Sequence, residues 1–317
     1  MSIKSSSGLI QKMIAPLTIE QFLTHYWPDK KLFASHGPLS RFKELTNFPA
    51  DISKLSKLAS KGKIGVWFPK RLRNKQTIKF HGMTYPAESA SKFYNIGATI
   101  SFYSIQKFIP VVNRLLRQFE QELGLLPGDG YCYLFVAPGE GEIPPHFDRE
   151  ANINIEILGK KTWNVTENEY VRLPVDSFIP SAVHNNSFQL EVKKYQRKPI
   201  PMRGPKIYSE SFEADSGSFL FLPRGWWHQT KSLEPTISLA MSFGPRTWLD
   251  LVIRALSENL IKKEDFREFV TSRPKYKIQR NLTAQHVSKI LKSLSKIVKT
   301  INSKELLSLY TKGIYVE

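Results

Sequence analysis

Alternation of apolar and polar side chains, the mark of a strand with one buried face, is clearest in the middle of the chain. Tyr131 to Val136, Ile153 to Leu158, Thr162 to Val165, Ser218 to Leu222 and Thr236 to Phe243 read as strands, set apart by turn residues at Pro127 to Gly130, Gly159-Lys160 and Arg224-Gly225. Upstream, Lys63 to Phe68 and Thr99 to Tyr103 read as two more strands. Thr18 and Asp51 are N-caps for short helices over Ile19 to Tyr26 and Ile52 to Ser60. Helical spacing of Phe108, Val112, Leu115, Leu116, Phe119 and Leu123 predicts one helix over Ile105 to Leu123. After Phe243 the period becomes helical again, over Thr247 to Leu260 and Lys263 to Ser272. A long amphipathic helix capped by Thr283 follows, with a stripe from Val287 to Ile301 that must be buried against the chain itself or a second copy. The pattern predicts a mainly β core with helical flanks. It divides into an N-terminal region (1–104) packing on a barrel, the barrel itself (105–245) and a C-terminal helical region (246–317). Pro174 to Arg203 shows no period, and segments of that kind often serve as lids or substrate loops.

Two segments in this frame carry chemistry: His146-Phe147-Asp148 and Gly225-Trp226-Trp227-His228. Side chains two apart on a strand face the same way, so His146 and Asp148 can project together into a barrel while Phe147 faces away. Pro144-Pro145 before the triplet and the strand-like run after it place the triplet at the start of a strand. The strand ending at Pro223 and the turn Arg224-Gly225 would deliver His228 to the same mouth. Two imidazoles and one carboxylate can occupy one face of an octahedral ferrous ion and leave three positions open, as non-haem Fe(II) oxygenases require. A His-x-Asp triplet alone is common by chance. Its weight comes from its setting, and from Lys161, 15 residues after His146. A hairpin through Gly159-Lys160 would return the Lys161 ammonium to the barrel, where it could meet a dicarboxylate as a point charge; a solvated hairpin lysine is the plain alternative. Trp226 and Trp227 either close the floor of a water-poor pocket or pack in the core.

At these residues the chain resembles the cupin-like JmjC oxygenases that depend on Fe(II) and 2-oxoglutarate, especially the hydroxylase branch that includes ribosomal-protein and asparaginyl hydroxylases. The likeness rests on Pro145-His146-Phe147-Asp148, Asn152, Gly159, Lys161 and Gly225-Trp226-Trp227-His228. A weaker likeness over Glu20 to Pro28 extends it to about residues 17 to 248. The resemblance implies a double-stranded β-helix, or jelly-roll, barrel. It implies that His146, Asp148 and His228 bind iron, that Lys161 binds the C5 carboxylate of 2-oxoglutarate, and that Asn152 and Ser242 lie near its C1 end, with O2 as the other co-substrate. Ser242 stands where the family often has an amide, and aligning it needs a one-residue gap after His228. The family's Thr or Tyr contact to the C5 carboxylate has no counterpart, since Ile143 stands three before His146; Tyr103, Tyr131 and Tyr133 are the candidates to replace it. Stable hydroxylation of a protein or peptide side chain is implied ahead of demethylation, and dimerisation is implied for the C-terminal helices.

Composition bounds the rest. A chain of 317 residues with 41% hydrophobic positions has material for one domain with an appendage. It lacks the run of roughly 20 apolar residues that crosses a bilayer, and residues 1 to 16 show no secretory pattern. The single cysteine, Cys132, fits a reducing cytoplasm and forms no intrachain disulfide. A net charge of +18 draws polyanions, and it is concentrated in acid-free tracts between Asp51 and Glu88 and between Glu268 and Glu305. Those tracts either contact RNA or the ribosome, where a protein substrate would sit, or are a solvated lysine surface. Two other functions remain open at this point: a hydroxylase of a free amino acid or small natural-product peptide, and a non-catalytic cupin module that keeps a structural metal and binds RNA or the ribosome. Lys161 beside an intact triad favours catalysis.

Overall fold

All twelve strands among the described residues belong to one of two antiparallel sheets. The computed structural model describes residues 8–69, 84–180, 187–201, 203–270 and 284–311. In chain order the strands are β1 (Phe33–Ser35), β2 (Lys63–Trp67), β3 (Thr84–Pro86), β4 (Thr99–Tyr103), β5 (Gly130–Ala137) and β6 (Glu142–His146). They continue with β7 (Ala151–Leu158), β8 (Lys161–Thr166), β9 (Glu210–Ala214), β10 (Phe219–Leu222), β11 (Trp227–Ser232) and β12 (Thr236–Phe243). They form an eight-stranded antiparallel sheet, β1-β10-β7-β12-β5-β4-β2-β3, and a four-stranded one, β6-β11-β8-β9. This is the predicted mainly β, cupin-like architecture with helices before and after it. Residues Met1–Gly244 make one compact unit and Pro245–Glu317 a second.

Period-2 patterning decides which face of the large sheet is apolar. Ile153 and Ile155 of β7, Leu239 and Met241 of β12, and Cys132 and Leu134 of β5 all point into one core cluster. That cluster also takes in Phe22, Leu55, Leu115 and Phe119 from the helices Ile19–His25, Ile52–Leu58 and Pro110–Glu122. Aromatic rings tie it together, with Phe22 and Phe221 edge-on at 5.1 Å. The main hydrophobic core therefore lies outside the barrel, between the large sheet and the N-terminal helices. The intervening residues of the same strands face inward, and register sets them in rows. Tyr131, Ser242 and Asn152 form the first row, Tyr133, Ala240 and Asn154 the second, and Phe135, Ser238 and Glu156 the third.

Three expectations need correction. The helix predicted over Ile105 to Leu123 is a single 3-10 turn, Ile105–Lys107, followed by a helix Pro110–Glu122. Pro110 occupies its first position, where a missing N–H costs nothing, and Ile109 before it is extended at φ −121°. Helix over Lys263 to Ser272 is reduced to the turn Glu264–Phe266 in its described part; Phe269 is 90% exposed, and a helix that short is marginal without a buried face. The amphipathic helix is present as Ala284–Val298, with Ile297 its only buried residue among those described. Its predicted cap, Thr283, lies outside the described residues, as do Lys70, Arg71, Arg73, Lys75 and Lys79 of the basic tract. A further helix, Ser303–Thr311, follows it.

Candidate functional site

His146 and His228 face each other across β6 and β11 as register partners, with ring centroids 3.9 Å apart. Asp148 joins them, its Oδ2 3.6 Å from His228 Nε2, and one ligand atom from each residue lies within 4.8 Å of the others. The triplet closes a strand; it does not open one. After His146 the backbone of Phe147 exchanges both hydrogen bonds with Phe178, at 3.1 and 2.9 Å, in an isolated bridge that stops the ladder. The Asp148 carbonyl accepts from Gly225 N–H at 2.9 Å, which pins the turn before His228 to the triplet. Gly225 is required there, since its φ is +84° and a Cβ would come within 2.7 Å of Pro174 Cδ.

Each imidazole is oriented by a carbonyl. His146 Nδ1 lies 2.8 Å from the Pro144 carbonyl and His228 Nδ1 3.0 Å from that of Trp226. A carbonyl only accepts, so Nδ1 carries the proton in each ring and Nε2 keeps its lone pair for the space between them. Burial, with the charge of His146 beside it, pushes His228 down to about 3, so it is a neutral ligand at physiological pH. Asn152 Nδ2 donates to Asp148 Oδ2 at 2.9 Å, and Ser242 Oγ donates to Asn152 Oδ1 at 2.6 Å. The two residues expected near a co-substrate's C1 end thus form a chain that fixes the Asp148 carboxylate. Two imidazoles and one oriented carboxylate on one side suit a divalent first-row metal that keeps open positions.

These groups share a cavity of about 510 Å³ with Lys161, Trp67 and Trp163. Lys161 does not reach it by a hairpin. Both edges of β7 are taken, by β10 and β12, so β8 cannot pair with it and the turn at Gly159 carries the chain into the other sheet. The lysine still points inward and is buried, 3.2 Å from Glu156 and 5.0 Å above the Trp163 ring. It also donates to Ser238 Oγ. Tyr103, Tyr131 and Tyr133 all line the cavity. Burial raises the Tyr131 and Tyr133 phenols, Tyr133 to about 12, so both are neutral hydrogen-bonding groups.

The tryptophan pair takes the structural option. Trp227 is fully buried behind the site, edge-on to Phe147 at 4.9 Å, and Trp226 packs beside a second small cluster. The segment Pro174 to Arg203 contributes Asp176, Ser177 and Ile179 to the cavity wall and contains a helix, Ser187–Lys194. Sequence reasoning missed Asn154 and Glu156. The Asn154 amide nitrogen is buried in the cavity wall with no hydrogen-bond partner among the described residues. The signal was present: Asn152, Asn154 and Glu156 are the polar phase of an alternating strand, and a polar phase facing inward means a lined cavity.

Residues 106–251 match the JmjC domain family. YxbC of Bacillus subtilis strain 168, an uncharacterised protein, is 28% identical over 304 residues, which is 95% of this chain and 91% of that one. Ribosomal oxygenase 2 of Bos taurus is 21% identical over 268 residues, 81% of this chain, and the chain spans only 52% of that longer relative. Among solved structures, the Escherichia coli ribosomal oxygenase YcfD in complex with cobalt and 2-oxoglutarate superimposes with a TM-score of 0.56 at 17% identity, covering 93% of this chain and 70% of YcfD. The inward-facing triad falls within residues 106–251, the stretch that matches the JmjC domain family.

Proposed function

We propose that the chain is an Fe(II)- and 2-oxoglutarate-dependent oxygenase that hydroxylates a protein or peptide side chain, with a ribosomal protein the first candidate. The observation that carries this is the pairing, in one cavity, of the His146, Asp148 and His228 cluster with a buried lysine. Similarity to ribosomal oxygenases supports the substrate class. When bound, the metal supplies the oxygen-activating chemistry, driven by oxidative decarboxylation of the co-substrate.

The chain's own residues do the rest. His146, Asp148 and His228 would hold the metal through their imidazole nitrogens and the carboxylate. Lys161 offers a charge to the distal carboxylate of 2-oxoglutarate. Asn152 and Ser242 hold Asp148 in place, and Asn154 offers an amide donor to whatever lies between them. Aromatic walls at Trp67, Trp163 and Phe135 exclude water. The test is release of succinate from 2-oxoglutarate by the purified protein with Fe(II). His146→Ala and His228→Ala should abolish turnover and Mn(II) binding, and undiminished turnover in either refutes the assignment.

The same reading extends outward. Lys54, Lys57, Lys61 and Lys63 are exposed around the helix Ile52–Leu58, and they support association with RNA or the ribosome in a reducing, cytoplasmic setting. Exposed Trp248, Leu249 and Ile253 on the helix Trp248–Leu260 support a homodimer through the C-terminal unit. No helix among the described residues is long and apolar enough to cross a membrane. Mass spectrometry of ribosomal proteins with and without the chain, read for a gain of one oxygen, tests the substrate.

A further inference from the structure

Glu156 has no part in the chemistry above, yet it is a buried charge, only 3% exposed. It sits on β7 in the third inward row, and both its oxygens accept from Ser238 Oγ at 2.9 Å. Its Oε2 lies 3.2 Å from Lys161 Nζ, with both side chains almost wholly buried. An ammonium has three donors. Glu156 and Ser238 engage two of them, and the Trp163 ring lies 5.0 Å from the same ammonium. Where Lys161 meets the cavity its charge is thus balanced by Glu156 and is not a free cation.

A dicarboxylate that reaches this ammonium sets two carboxylates on one cation away from water. Two such groups sharing a site do not both stay ionised at low cost. Among the described residues, Lys161 is the cation that acts on Glu156. Asp215, in the turn before β10, acts on Glu156 with the same sign of charge; it is faced by His36 at 3.6 Å, while Arg41 donates to the Gly217 carbonyl. Strand β12 brings only the neutral Ser238, and β10 is apolar throughout.

We infer that Glu156 is an internal counter-carboxylate, which a dicarboxylate binding at Lys161 displaces and leaves as the neutral acid, coupling co-substrate binding to uptake of one proton from solvent. This deepens the 2-oxoglutarate reading and rests on it. Burial pushes Glu156 up to about 7 against the pull of Lys161 and Ser238, so the acid form is accessible near neutrality. Because the protonated form favours the ligand, affinity is greatest at low pH and falls as pH rises above about 7, by up to about tenfold per pH unit for one proton.

The experiment is calorimetric titration of the Mn(II)-loaded full chain with 2-oxoglutarate near pH 8, in two buffers of different ionisation enthalpy. Uptake of about one proton is expected, with affinity rising as pH is lowered. Glu156→Gln keeps the shape and one acceptor oxygen but removes the charge; it should bind 2-oxoglutarate more tightly, without proton uptake and with a flat pH profile. Buffer-independent heats in the wild type, or the same pH slope in Glu156→Gln, overturn the inference while leaving the co-substrate reading intact. Absence of 2-oxoglutarate binding in every buffer overturns that reading and the inference together. If Glu156→Gln does not fold, the buffer comparison on the wild type still decides.

Discussion

Asn152→Leu isolates the hydrogen bond that orients the Asp148 carboxylate. The substitution keeps volume and removes two contacts, Asn152 Nδ2 to Asp148 Oδ2 at 2.9 Å and Ser242 Oγ to Asn152 Oδ1 at 2.6 Å. A hydrogen bond to an ionised group contributes about 1.5–3 kcal/mol, and loss of a group supporting a metal ligand typically lowers metal affinity about 10- to 100-fold. The Asp148 side chain is 28% exposed, so water can replace part of the lost bond and the effect belongs near the lower end, about tenfold. Ser242 is buried and would be left without its acceptor, which costs a further 1–3 kcal/mol, roughly, of folding stability. Mn(II) titration followed by electron paramagnetic resonance measures the first quantity, and circular dichroism melts measure the second. Ser242→Ala, which leaves the Asn152 to Asp148 bond in place, should weaken Mn(II) binding less than Asn152→Leu. Wild-type Mn(II) affinity in a well-folded Asn152→Leu protein would refute the role given to this chain of hydrogen bonds.

Lys161→Ala should raise the 2-oxoglutarate requirement by the equivalent of about 2–5 kcal/mol with Mn(II) binding retained; metal loss at unchanged co-substrate affinity would instead make the lysine structural. Gly225→Ala forces a side chain onto φ +84° and against Pro174, so a melt should show a loss of about 1–3 kcal/mol, with weaker Mn(II) binding because the turn also anchors Asp148. An unchanged melting temperature would show that the turn can relax. Ribosome co-sedimentation should fall roughly a thousandfold in affinity between about 50 and 200 mM salt, and further with Lys70, Arg71 and Arg73 changed to Glu. Salt-independent association would leave the basic tracts as solvated surface.

The sequence made the parts of the site legible wherever a local rule applied. His146, Asp148, Lys161 and His228 were found by residue type and spacing, and all four face one cavity. β12 matches its predicted span residue for residue, because eight consecutive positions are buried and both ends are marked by turns. What local rules could not supply was partnership between strands. Nothing in Gly159-Lys160 says that β7 already has neighbours on both edges, so a hairpin was the natural reading of what is a crossover. The Phe147 bridge to Phe178 and the Gly225 bond to Asp148 are likewise long-range, and they turn a presumed strand start into a strand end. Glu156 was invisible for a related reason: its partner Ser238 is 82 residues away.

Placing the hydrophobic core behind the large sheet has a further consequence. The inward rows are relieved of holding the fold together, so they can act as a ruler. Successive rows on β7 are two residues apart, about 7 Å, and run from the carboxylate that holds Asn152 to the charge that holds Lys161. A barrel built in this way can exchange one inward side chain for another and so alter the lining of its cavity, while its outer face keeps it folded.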